Sequence, residues 1–255
     1  MEASKKMKKN VFGKVFICVF CLVTFGLMLT MADFFSNLIT VGGFSFAGDN
    51  INQNEYKVYA VCTSSHQEKI IASEGAEYIK QQGGAGYIYM NESSYSIVAG
   101  MYETEADAKK VLSNIIEKKP DASIVVITIP QIIISSNLGS QEKSAVSSCI
   151  GLFKNVYKKL YDISVSLDTA VINEVKARLE VNDICSNAQK ILNNFNTIFN
   201  GTLTTNLLSI KLSTEDIISY LNELTNSTSS LPFTSLVKEC YCKVIGSYKA
   251  MAESI

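Results

Sequence analysis

SYSIVAGMYETEADAKKVL, residues 94–112, contains the change of period on which the fold turns. Residues 94–102 are rich in β-branched and aromatic side chains and predict a strand. Thr104 can then cap a helix, with Asp107 three residues on, close to a capping box. Ala108, Val111, Leu112, Ile115 and Ile116 follow at spacings of three and four, the inner stripe of a helix reaching about residue 118. Pro120 and Asp121 break it, and residues 123–129 (SIVVITI), nearly all β-branched, predict another strand.

Toward the N-terminus the same alternation of elements continues. Residues 56–63 (YKVYAVCT) predict a strand. Residues 66–82 mix Ile70, Ile71, Glu74, Ala76, Tyr78 and Ile79 at helical spacing, and GGAG at 83–86 ends that helix, because glycine tolerates a left-handed cap. A short strand at 87–90 and a turn at 91–93 complete a β-α-β-β-α-β order. That order predicts two helices on one face of a four-stranded antiparallel sheet, the ferredoxin-like layout, within an α+β chain. Many functions use this layout, so it does not by itself identify one.

The chain has 255 residues, with 47% apolar and 18% charged, enough to bury an ordinary core. Its net charge of -1 is spread along the sequence, and no basic stripe lies beyond the N-terminus, which argues against a nucleic-acid partner. Residues 1–10 carry Lys5, Lys6, Lys8 and Lys9. Residues 11–31 are apolar apart from Gly13, Lys14, Thr24, Gly26 and Thr30. About 20 such residues cross a bilayer as a helix. The one-sided lysines then place the N-terminus in the cytoplasm and the bulk outside the cell membrane, with Lys14 snorkelling to the headgroups. The rival reading is a cleaved signal peptide. It is weakened by the long apolar run and by Thr30-Met31-Ala32, a poor small-x-small site. The expected organisation is a cytoplasmic tail at 1–10, an anchor at 11–31, a linker at 32–54, the α+β domain at 55–130 and a helical region at 131–255.

In that last region residues 132–135 lead away from the sheet. Residues 145–161 show a helical stripe through Val146, Ile150, Phe153, Tyr157 and Leu160. Residues 167–199 show another through Val171, Val175, Leu179, Ile184, Ala188, Leu192 and Phe195. Ser213 to Asp216 looks like a helix start, and Pro232 at a first turn opens the last helix. Short connections between such helices suggest a small bundle.

Motifs for catalysis are scarce. His66 is the only histidine, and no nucleophile elbow accompanies it. Residues 83–86 lack the Lys-Ser/Thr of a phosphate loop. Cys62, Cys149, Cys185, Cys240 and Cys242 lie beyond the anchor, an odd number with no framework spacing, and read as small buried side chains. Paired acids such as Glu103 and Glu105, or Glu215 and Asp216, suit helix N-termini. The expectation is a non-enzyme with no cofactor and no metal.

Residues 56–129 resemble a SPOR domain, the sporulation-related repeat of bacterial envelope proteins. That family shows aromatic-x-Val-x-x-Gly-x-Phe in its third strand, then an acidic turn and an Ala-rich helix. Tyr95, Ile97, Gly100 and Tyr102 keep that order, followed by Glu103, Ala106 and Ala108. Gly83 or Gly84 matches the glycine that ends the family's first helix. The first strand departs from the pattern, with Ala60, Cys62 and Ser64 in place of Gln-x-Gly-x-Phe. The resemblance implies binding of septal peptidoglycan, as glycan strands stripped of stem peptides, on the open sheet face during cell division or sporulation. Alternation puts Val58, Ala60, Ser96 and Val98 on that face, and Ile97 and Ala99 toward the helices. The site residues so implied are Ser96, Val98, Tyr87 and Tyr89. Val58, Ala60 and Val98 offer sugar hydroxyls nothing, so the competing expectation is a degenerate SPOR-like scaffold. Its sheet face would be covered by residues 131–255, and its partner would be another envelope protein. Burial of Val58, Ala60 and Val98 is what separates the two.

Overall fold

The computed structural model describes residues 50–91, 93–135 and 137–255. The tail at 1–10 and the anchor expected at 11–31 lie outside them. Among the described residues no helix is long and apolar enough to cross a membrane. The described residues are mixed α+β, with six helices and antiparallel sheets. In order the elements are β1 (Asn50–Gln53), β2 (Tyr56–His66), α1 (Lys69–Gln81), β3 (Tyr87–Asn91), β4 (Ser94–Tyr102), α2 (Glu105–Ile115), β5 (Ser123–Ile129), β6 (Ile132–Ser135), α3 (Ser140–Asp168), α4 (Glu174–Ile198), α5 (Thr205–Thr225) and α6 (Phe233–Ser254).

Four strands form one antiparallel sheet in the order β3-β4-β2-β5. Tyr59 pairs with Tyr102, Val58 with Ile127, and Tyr87 with Val98. The β2–β5 ladder runs unbroken, whereas β2 against β4 shifts register between Val61 and Ser64. One face carries α1 and α2 over a thin core of Ala72, Ala76, Ile79 and Ile97. The Thr104 side chain accepts from the Asp107 amide at 3.1 Å, so the expected cap forms. Ile116 lies past the last turn of α2 and is exposed, a correction to the expected inner stripe. Gly86 has φ +54°, and a Cβ there would lie 2.3 Å from the Ala76 carbonyl oxygen, so only glycine lets β3 leave α1 this closely.

Outside the four-stranded sheet and its two helices the structure departs from the sequence reading in four places. Residues 50–53, assigned to the linker, form β1. Residues 132–135, read as an exit, pair with it antiparallel, Ile51 opposite Ile134. Ile51, Ile132 and Ile134 are buried, and that burial stabilises so short a ribbon. The helix expected over 167–199 is really two. α3 continues to Asp168 and α4 starts after Asn173, whose side chain accepts from the Lys176 amide at 2.9 Å. Val171, Val175 and Leu179 therefore face outward, Val171 at 75% exposure, while Ile184, Ala188, Leu192 and Phe195 are buried. Finally, α5 runs through the supposed start at Ser213. Thr214 is buried and its hydroxyl bonds back to the Ile210 carbonyl at 2.8 Å, serving the helix interior instead of a cap.

α6 is the centre of the arrangement. It packs on α3 and α5 and on β3, β4 and β5. Its buried residues point in most directions, as a helix enclosed by neighbours requires. Sheet and bundle share one hydrophobic core: Val58, Ala60, Val98 and Ile127 join Phe153, Tyr157, Val244 and Tyr248 in it.

Candidate functional site

The sheet face opposite α1 and α2 is the surface on which the implied ligand residues fall. Along β2 it presents Tyr56, Val58, Ala60 and Cys62, along β4 Ser96 and Val98, along β3 Tyr87 and Tyr89, along β5 Val125, Ile127 and Ile129. The bundle covers it. Val58, Ala60 and Val98 are each 0% exposed. Ser96 is buried, with its hydroxyl 2.6 Å from that of Ser65. Tyr87 and Tyr89 are half-buried against the shared core. The structure thus brings the four implied residues onto one face, and places all four beneath or beside the chain's own helices.

Two glycines let the layers approach. A Cβ on Gly246 of α6 would lie 2.5 Å from the Tyr87 hydroxyl oxygen, so the ring occupies the space that a side chain would fill. A Cβ on Gly100 of β4 would meet the Tyr102 and Tyr241 hydroxyls at 3.0 and 3.1 Å. Around Tyr241 the rings of Tyr157 and Tyr161 lie 5.6 and 6.2 Å away, and Tyr157 donates to the Met101 carbonyl at 3.1 Å. These tyrosines give a large apolar contact and keep their hydroxyls satisfied or near other polar groups.

Polar contacts fix the angle of α6. The Ser235 hydroxyl donates to the Lys80 carbonyl at 2.6 Å, and Lys238 Nζ to the Gly83 carbonyl at 2.9 Å. Lys80 lies in the last turn of α1, whose final carbonyls lack helical partners, and Gly83 lies just past its end. Lys238 also reaches Asp168 at 2.6 Å, and Lys80 reaches Glu239 at 3.0 Å. Sequence reasoning had no access to these contacts, since each joins residues far apart in the chain.

The remaining chemistry is sparse. Ser64 Oγ lies 3.0 Å from His66 Nε2, a contact that follows from the shared face of residues two apart in a strand. Among the described residues no carboxylate bonds the other ring nitrogen, so the pair lacks an orienting acid. Among the described residues no group of three potential ligands could hold a metal. A cleft of about 170 Å³ between α5 and α6 is lined by Tyr220, Glu223, Glu239, Cys240 and Lys243. It is smaller than the roughly 300–1,000 Å³ of ordinary small-molecule sites. Lys243 already reaches Glu239 at 3.4 Å and Glu223 at 4.0 Å.

The five described cysteines are buried and free. Burial pushes the thiols of Cys62, Cys149 and Cys240 from 9.0 up to about 12. It pushes the Tyr87 phenol to about 12 as well, and raises Tyr157 and Tyr241 further. Because each folded value lies above the unfolded one, the stabilisation is fully present below pH about 9 and is lost as pH rises toward 12. The expected result is a melting temperature that falls steadily above pH 9. At pH 8, peptide mapping after maleimide treatment should find these five thiols unmodified; rapid labelling of any of them would contradict the burial.

No family model, no curated protein and no solved structure matches the chain.

Proposed function

We propose that this chain is a non-catalytic, membrane-anchored envelope protein. In this reading residues 56–129 are a ferredoxin-like, SPOR-type scaffold that serves protein–protein interaction. The observation that carries the reading is α6 lying over the sheet face. Close approach of the chain's own helix to this face, with Gly246 against Tyr87 and Gly100 against Tyr241, favours a covered scaffold over an open glycan surface. The strand order β3-β4-β2-β5 and the residues 95–102 support the family part of the reading. The apolar run at 11–31 supports the anchor, with the N-terminus cytoplasmic and the bulk outside.

The second reading is binding of denuded peptidoglycan through Ser96, Val98, Tyr87 and Tyr89. The third-strand motif favours it, and it requires those side chains to be free of α6. The two are separated by retention of the full chain on purified cell wall before and after an amidase strips the stem peptides. The scaffold reading expects the same background retention on both walls. Retention that rises on the stripped wall and is lost in Tyr89→Ala would replace it with the glycan reading.

A further inference from the structure

We propose that two copies of this chain pair edge to edge through β5, antiparallel, about a two-fold axis at Val126. The inference starts from an edge without the usual protection. β5 is the end strand of the sheet and, among the described residues, pairs with β2 alone. It is seven residues long and joins β2 without a bulge. It contains no proline, glycine or charge between Ser123 and Ile129. Edge strands of soluble proteins ordinarily carry a charge, a proline or a bulge that stops a further strand from adding. The other end strand, β3, has five residues and finishes in the polar Asn91. β1 and β6 have four each.

The occupant is identified by the sequence of β5 itself. In SIVVITI every residue from 124 to 129 is β-branched, so the strand is chemically alike on both sides of its centre. Antiparallel pairing around Val126 sets Val126 against Val126 of the second copy, Val125 against Ile127 and Ile124 against Thr128. Every one of those pairs is β-branched on both sides, the pairing that favours a sheet. No charge falls opposite a like charge anywhere in the seven positions. Just beyond the ladder, Asp121 stands opposite Gln131. The Gln131 amide donates one hydrogen bond to Asn52 at 2.8 Å and has a second N–H to offer a carboxylate. An interface made of one patch facing itself is what a two-fold dimer requires. Val126, 50% exposed, lies on the α2 side of the sheet with the half-buried Ile124. Ile116, at the end of α2, is exposed as well, and α2 packs over β2 and β5. The dyad brings the two Val126 side chains together and covers both.

The test is the oligomeric state of the full chain in mild detergent, by sedimentation velocity, for the unaltered protein and Val126→Lys. The lysine places two like charges opposite each other, and the position is exposed enough to accept it without loss of fold, checked by circular dichroism. The expected result is a dimer that Val126→Lys weakens by roughly tenfold or more. A second measurement uses Val126→Cys in a Cys18→Ser, Cys21→Ser background. Residues directly opposite in an antiparallel pair have Cα atoms about 4.5–5.5 Å apart, within disulfide reach. Under a mild oxidant this variant should form a disulfide dimer well ahead of Ile133→Cys, a position equally exposed at 50% but off the ladder. A chain that stays monomeric at its solubility limit overturns the proposal. So does a dimer untouched by Val126→Lys, which would place the contact elsewhere, and so does crosslinking no faster than at residue 133.

Discussion

Replacing Tyr241 by alanine is expected to cost about 3–5 kcal/mol of folding free energy, the range for removing a large buried ring from a packed core. The side chain is fully buried and stands between the sheet and α3. Its ring meets Tyr157 edge-on at 5.6 Å and its hydroxyl sits against Gly100. None of these neighbours can collapse into the space, because Tyr157 is itself held by its bond to the Met101 carbonyl. Such a loss is a large share of the total stability of an ordinary domain, roughly 5–15 kcal/mol. Urea melts followed by circular dichroism and by tyrosine fluorescence would measure it. Sheet and bundle share one core, so both probes should report a single coincident transition in the unaltered chain and in the variant. Separate transitions would show that the bundle melts off the sheet by itself, and would return the covered face to consideration as a binding surface.

The second large effect is expected at Gly86. Gly86→Ala places a methyl group 2.3 Å from the Ala76 carbonyl oxygen and 2.5 Å from the Lys80 side chain, at φ +54°. The first of these is backbone within α1 and cannot swing away. Left-handed strain and overpacking each cost about 1–3 kcal/mol, so a loss of roughly 2–6 kcal/mol is expected. Gly83→Ala is the useful contrast. It has φ +88° but nothing within 4 Å of the added carbon, and should lose only the conformational part. If the two variants melt alike, close packing at Gly86 does not govern this turn.

The legible part of this fold was the part written in local pattern. β4 and β5 fall where the alternation of β-branched and aromatic residues put them, at Ser94–Tyr102 and Ser123–Ile129. The apolar character of Val58, Ala60 and Val98 was a readable sign that their face is covered, since a wet sheet face would alternate with polar residues. Which helix covers it was not readable, because the keys are a missing side chain at Gly246 and hydrogen bonds such as Ser235 to Lys80, with no sequence period. The break between α3 and α4 was hidden for another reason. Ala170 takes the left-handed position at φ 54°, where glycine or asparagine would have announced the turn. The β1–β6 ribbon was invisible because four-residue strands some eighty positions apart carry no local signal.

The central place of α6 has a consequence for the order in which the protein is made. A growing chain appears from its N-terminus, and the sheet of residues 56–129 is complete long before residue 233 is joined to it. Throughout that interval Val58, Ala60, Val98 and Ile127 have no lid, and the Tyr248 partner that Gln53 bonds lies 195 positions further along. Closure therefore waits for the last segment to emerge, and a chain cut short before α6 carries a bare apolar sheet, the kind of surface that chaperones and proteases recognise.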